Sequence, residues 1–182
     1  VVLQLVHKIN ALRIIKKALK LDEKNIPSLV RRIEGFFSER GGCVISVTGA
    51  PGCGKSTLAR RAKEEGLFSI PAEKLFIIDD LRGPEGERYS RRQLKTVIRQ
   101  AGDKVVLLFD YRAAVYLKNA DICIILGLEE EQRLKNLKVR SHRGYRRYRG
   151  RFYSISPIPL RWNPQNVYVC RNPGIVTGAS KR

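Results

Sequence analysis

The 182-residue chain contains no methionine, and it has no acidic residue anywhere from Gln132 to its last position. The first absence means that Val1 is not expected to be a translation start. The second excludes an evenly balanced surface. Residues 132–182 carry 13 Lys or Arg against no Asp or Glu, residues 1–40 carry nine against four, and residues 41–131 carry 14 against 13. The two ends therefore supply almost all of the formal net charge of +19. An acid-free stretch of that length attracts polyanions. Nucleic acid is the expected partner of residues 132–182, ahead of a contact inside an RNA-rich assembly or a solubility device. No apolar run reaches the roughly 20 residues of a membrane span, which excludes a transmembrane helix. The opening VVLQLVHKIN is too short in its apolar part, and wrongly flanked, for a secretory signal.

The four cysteines, Cys43, Cys53, Cys123 and Cys170, form no CxxC pair and no zinc-ligand spacing. Three sit in apolar, strand-like runs, where free thiols are commonly buried. A reducing, intracellular compartment fits, whether for a cytoplasmic protein or for a viral protein in a host cell. A Cys123–Cys170 bridge stays open if their strands are neighbours.

The length suits one domain of ordinary size with a sizeable core. Residues 2–19 repeat apolar side chains at Val2, Leu5, Val6, Ile9, Leu12, Ile15 and Leu19, and residues 26–37 do so at Ile26, Leu29, Val30, Ile33, Phe36 and Phe37. Both are helical periods. Pro27 suits a first helical turn, and Gly41-Gly42 ends the segment. Residues 1–42 thus read as a basic helical extension. Its helices, over 1–37, pack on the core or meet a protein partner or a second copy of the chain. Residues 43–182 form the main unit. Strands are predicted at 43–48, 75–79, 104–110, 121–127 and 166–170, alternating with helices at 56–66, 90–102 and 129–143. Such alternation implies a three-layer α/β/α fold around a mainly parallel five-stranded sheet.

GAPGCGKS, from Gly49 to Ser56, matches G-x-x-x-x-G-K-[ST] between a strand and a helix, the context that gives the motif meaning. Gly49, Ala50, Pro51, Gly52, Cys53, Gly54, Lys55, Ser56 and Thr57 are the expected nucleotide-binding residues. The glycines let the backbone approach an anion, and the N–H groups and helix N-terminus cradle phosphates. Lys55 would reach the β- and γ-phosphates, and Ser56 would ligate Mg²⁺. Thr57 supports the helix start, and Cys53 occupies a variable position. The cofactors implied are ATP, or GTP, with Mg²⁺.

LFIIDDLR raises the choice of chemistry. Asp79 and Asp80 end a strand, and only 23 residues separate Lys55 from Asp79. That spacing holds the loop helix and one short piece, which favours a small kinase over a motor. A hydroxyl nucleophile needs a carboxylate to orient it and take its proton, and either aspartate could serve. Asp110, at the end of the next strand, either holds Mg²⁺ through water or pairs with Arg112.

GAPGCGKSTLAR, IIDDLR, KVVLLFDYR and NADICIILGLEEEQRLKNLKVR together resemble the adenylate-kinase-like P-loop kinases, over about residues 43–150. The pattern is also similar to the DNA topology modulation proteins. IDDLR resembles the acceptor-side motif of polynucleotide 5′-kinases. That resemblance implies that Asp79 activates a hydroxyl and that Arg82 grips an acceptor phosphate. The adenylate-kinase-like resemblance implies an Arg-rich lid over 139–153. Arg140 and Arg143, expected on one helical face, are the first candidates for stabilising the transferring phosphoryl group. Arg112 and Arg146 are further substrate-binding candidates. Tyr145, Tyr148, Phe152 and Tyr153 interleave with the arginines, which suits stacking on bases. His142 reads as a surface residue. The helical extension has no counterpart in that family, and FDYR replaces its usual small-residue turn.

Two other classes remain at this point. In a nucleic-acid-dependent ATPase of the helicase or packaging type, LFIIDD would be the magnesium strand and Asp110 an unusual sensor. In a basic structural protein of a ribonucleoprotein or virion, the loop would be kept for stability.

Overall fold

The computed structural model describes residues 15–83, 85–116, 120–149 and 163–171. Six parallel strands form one sheet: β1 (Leu19–Lys20), β2 (Cys43–Gly49), β3 (Leu75–Asp79), β4 (Val105–Phe109), β5 (Ile122–Leu126) and β6 (Val167–Cys170). Their spatial order is β1-β6-β5-β2-β4-β3. Parallel neighbours need crossover connections. These are α1 (Ile26–Arg40), α2 (Lys55–Glu65), α3 (Arg91–Gln100), α4 (Ala113–Tyr116), and the pair α5 (Glu130–Arg140) and α6 (His142–Tyr148).

The apolar strands explain the layers. Alternate residues of β2 point to opposite faces. Cys43, Ile45 and Val47 meet Leu29 and Ile33 of α1 and Leu58, Ala59 and Ala62 of α2. On the other face Ile78, Val106 and Leu108 meet Leu94 and Ala101, and Cys123, Ile125 and Val167 meet Ala114 and Ile15. With both faces covered, the three-layer α/β/α arrangement is as the alternation predicts. Among the described residues, no helix is long and apolar enough to cross a membrane.

The sheet has one strand more than the sequence predicts. Leu19 continues the helical period of residues 2–19, and residues 15–17 are helical, yet Leu19 and Lys20 pair with Tyr168 and Val169. Two residues of β-pairing suffice to cover part of the outer edge of β6, which would otherwise present unpaired backbone groups. Residues 1–14 of the predicted helix lie outside the described residues. The following chain enters the same core: Leu21, Leu29 and Ile33 are buried in the cluster that holds β2. At the end of α1, Arg40 pairs with Asp121 at 2.9 Å, and the other Asp121 oxygen accepts the Val44 N–H at 2.8 Å.

Two further expectations change. The helix predicted over 129–143 breaks at Ser141, so Arg140 and Arg143 lie on different helices rather than on one face. Ser141 is extended (φ −174°, ψ 130°), and its hydroxyl accepts the Gly144 N–H at 3.2 Å, capping α6. Serine competes in this way with helix continuation. Strands β5 and β6 are neighbours, but Cys123 lies opposite Val167 and Cys170 opposite Leu126. None of the four cysteines forms a disulfide, and all four are buried. Burial pushes the Cys43 and Cys123 thiols up to about 12, which keeps them protonated and inert at neutral pH.

Candidate active site

The glycine-rich loop turns between β2 and α2 under tight constraint. A side chain at Gly49 would meet Cys53 Sγ and Leu126 O at 2.5 Å, and one at Gly52 (φ +91°) would meet Arg133 O at 2.7 Å and Leu137 Cγ at 2.9 Å. Four successive carbonyls are bonded within the protein. Lys55 Nζ donates to Gly49 O at 2.7 Å and to Ala50 O at 3.2 Å. The Cys53 N–H also donates to Ala50 O, at 3.1 Å. Arg133 Nη1 donates to Pro51 O at 3.0 Å, and Asn136 Nδ2 to Gly52 O at 2.9 Å. With the carbonyls engaged, the loop and the first turn of α2 present donors and the positive end of a helix dipole. Cys53 is buried, and burial raises its thiol despite the nearby Lys55.

Beside the loop lies a cleft of about 690 Å³, lined by Lys55, Ser56 and Thr57 on one side and by Asn136, Arg140 and Tyr148 on the other. Asp79, Asp80 and Asp110 also line it. The volume suits a nucleotide-sized ligand. Its place, outside the carboxyl ends of parallel strands, is where open α/β sheets bind ligands.

The register of β3 on β4 gathers the carboxylates. Asp79 pairs with Phe109, and the Asp80 N–H donates to Phe109 O at 2.8 Å. The Ser56 hydroxyl donates to Asp79 Oδ1 at 3.5 Å. Asp80 (φ +54°) and Leu81 (φ +54°) are consecutive left-handed residues, although neither is glycine. Each such residue costs of order 1–3 kcal/mol, and such strain persists only where the surroundings enforce it. Here Leu81 is fully buried, and its carbonyl accepts the Tyr89 N–H at 2.8 Å.

The sequence-predicted arginines separate. Arg140 lines the cleft, whereas Arg143 and Arg146 lie on α6 outside its lining. Arg82 donates to Asp80 Oδ2 at 3.2 Å and to Gly86 O at 2.6 Å, so it fastens the loop after β3. Arg112 meets Asp110 through its backbone N–H, at 2.6 Å to Oδ1. Phe152 and Tyr153 lie outside the described residues. Tyr145 and Tyr148 carry the cations of Lys138 and Arg147 over their rings, at 5.0 and 5.3 Å.

The sequence reading missed Arg133 and Asn136. In EEEQRLKNLK the two polar residues look like part of a solvated face. Their only signal is the spacing of three, which places Arg133 and Asn136 one turn apart beside the buried Leu137.

Burial raises the Asp110 carboxyl above its usual range; the Arg112 N–H opposes this, the charge of Asp80 adds to it, and Lys55 opposes it. A carboxyl raised by folding contributes stability at low pH that is lost as pH rises through its folded value. Asp110→Asn keeps an oxygen for the Arg112 N–H and removes the desolvated charge. Without nucleotide or magnesium, the variant should melt higher than the parent at neutral pH, with the gain vanishing toward about pH 4, where carboxyls protonate. A variant that melts lower at every pH would contradict that account.

The donor set fits a polyphosphate with a hard divalent cation: a loop with its carbonyls engaged, one lysine, one hydroxyl and neighbouring carboxylates. Among the described residues no three His, Cys, Asp or Glu side chains form a metal cage. Magnesium needs none, since it takes one or two protein ligands together with phosphates and water.

The fold and loop define a P-loop α/β protein. No protein-family model matches the sequence, and no curated protein does. Among solved structures the chain is similar to the shikimate kinase from Acinetobacter baumannii in complex with shikimate, at 17% identity and a TM-score of 0.42, over 76% of this chain and 87% of that one.

Proposed function

We propose that the chain is a P-loop phosphotransferase that moves the γ-phosphoryl group of ATP, or GTP, to a hydroxyl on a nucleic-acid end or a nucleotide. The observation that carries this reading is the contact of Ser56 with Asp79, which sets a carboxylate at the reacting end of the phosphate cleft. Gly49 to Thr57 hold the phosphates. Ser56, with Asp110 through water, would hold magnesium, which would supply charge neutralisation. Lys55 leaves the Gly49 and Ala50 carbonyls for the β- and γ-phosphates.

Asp79 then orients the acceptor hydroxyl and takes its proton. The hydroxyl oxygen bonds to the γ-phosphorus, the bond from that phosphorus to the bridging oxygen breaks, and the nucleoside diphosphate leaves with the electron pair. Asp80 shapes the acceptor wall, and Arg140 faces the transferring group. Arg82 supports acceptor binding through the loop it fastens.

Surface charge supports the acceptor class. Lys135, Lys138, Arg140, Arg143, Arg146 and Arg147 are exposed on α5 and α6 with no acid downstream. Such a surface neutralises phosphates at some distance from the chemistry. The test is transfer of labelled γ-phosphate to 5′-hydroxyl oligonucleotides, then to nucleosides and nucleotides. Label in an acceptor, dependent on Mg²⁺, is the expected result.

The same Ser56–Asp79 contact also favours a second reading, in which Asp79 belongs to the metal and the chain is a nucleic-acid-dependent ATPase. Faster phosphate release with added nucleic acid, and no labelled acceptor, would select it.

A further inference from the structure

We propose that Arg133 and Asn136 form a latch that couples occupancy of the phosphate loop to the seating of α6 and to the aim of Arg140. The proposal deepens the reading above and rests on it only in requiring that a nucleotide occupies the loop.

Arg133 is 1% exposed, the largest fully buried side chain among the described residues. A buried guanidinium needs its charge balanced and its donors used. Glu130 does the first in bidentate fashion, Nε to Oε2 at 2.8 Å and Nη2 to Oε1 at 2.7 Å. That pairing fixes the guanidinium plane. The remaining nitrogen, Nη1, then bridges two segments distant in sequence. It donates to Pro51 O in the loop at 3.0 Å and to Tyr148 O at the end of α6 at 3.1 Å. One NH₂ group thus joins the tip of the phosphate loop to the acid-free segment.

Asn136 doubles the grip one turn later. Its Oδ1 accepts from Gln132 Nε2 at 3.0 Å, which turns its Nδ2 toward Gly52 O at 2.9 Å. There is no slack between the elements. A side chain on Gly52 would run into Arg133 O and Leu137 Cγ. Movement at Pro51 or Gly52 is therefore movement of α5.

The loop is divided by these contacts. Its first carbonyls, at Gly49 and Ala50, are held by Lys55, the group that phosphates must draw away. Its next two are held by α5. Nucleotide arrival loosens the first half against a fixed second half, and the readjustment passes through Arg133 to Tyr148, which itself lines the cleft. Arg140 stands two turns beyond Arg133 on the same helix, so the seating of α5 also sets its approach to the cleft. Arg133 and Asn136 act through other groups and are positioning residues.

By linkage, whatever nucleotide does to α6, α6 does to nucleotide. The experiment is hydrogen exchange over residues 142–148 in the 182-residue chain, with and without ATP and Mg²⁺ or a non-hydrolysable analogue. The parent should exchange at least about fivefold more slowly there with nucleotide, the lower end of ordinary coupling. Asn136→Ala and Arg133→Lys should still bind nucleotide, more weakly by about 3- to 30-fold, and lose most of that protection. Arg133→Lys changes a buried site and is the variant at risk of misfolding. Asn136→Ala removes one amide at a half-buried position and keeps the test decisive, given a melting temperature near that of the parent. A merely structural role would lower protection equally with and without nucleotide, and that result would overturn the latch. Nucleotide binding without any change over 142–148 in the parent would also overturn it while leaving the phosphotransferase reading intact. Normal coupling without transfer to any acceptor would remove the phosphotransferase and leave the latch. Absence of nucleotide binding would remove both.

Discussion

Lys55→Ala should lose nucleotide turnover by about 10²- to 10³-fold or more, the scale of deleting one charge-stabilising donor from a preorganised site. Its ammonium group now lies back on the Gly49 and Ala50 carbonyls. It is thus within the loop yet uncommitted to the core, and it must swing only within the loop to reach phosphate. The fold should survive the change. Lys55 is half-exposed and lines an open cleft, and the Ala50 carbonyl keeps the Cys53 N–H when the lysine is removed. Stability should fall by no more than about 1 kcal/mol, the net worth of an ordinary hydrogen bond. Turnover and thermal melting, measured on one preparation, check both halves. A folded variant that consumes ATP at the parent rate would end the phosphate-loop assignment.

Asp79→Asn should keep nucleotide binding and cut phosphoryl transfer by roughly two to four orders of magnitude, the usual worth of a positioned general base. The change is nearly isosteric, and an asparagine oxygen can still accept from the Ser56 hydroxyl, so the local geometry should persist. What disappears is the capacity to take a proton. Nucleotide affinity and labelled transfer are the two readouts. A loss of Mg²⁺-dependent affinity equal to the loss of rate would move Asp79 to the metal and favour the ATPase. Transfer at the parent rate would remove Asp79 from the chemistry altogether.

The parts of this molecule legible in the sequence are those set by local pattern. The phosphate loop was legible because glycine spacing, a preceding apolar run and a following helix all constrain one another. Five strands were legible because parallel strands buried on both faces are apolar throughout, as in VVLLF and ICIIL. β1 was hidden because two residues have no period, and Leu19 fits the helical pattern before it as well as it fits an edge strand. The break at Ser141 was hidden because a serine inside a periodic segment differs from a cap only in its backbone. Arg133 was hidden for a deeper reason. A charged residue among charged neighbours reads as solvated, and only the fold brings Pro51 and Tyr148 to it. Arg82 was singled out by a motif, and what only the fold adds is its hydrogen bonds to Asp80 and Gly86.

If the chain is the phosphotransferase proposed above, the left-handed pair at Asp80 and Leu81 bears on how an acceptor would be met. A carboxylate on an ordinary flexible turn would have to be ordered by each incoming molecule, with an entropy loss at every encounter. Here the turn is bent into an unfavourable shape and fastened by Arg82, the buried Leu81 side chain and the Tyr89 N–H before anything binds. The ordering is done once, during folding, and its cost falls on the stability of the chain rather than on affinity. The wall beside Asp79 is thus preorganised, and on the proposed phosphotransferase reading it would be the template against which a hydroxyl is aligned.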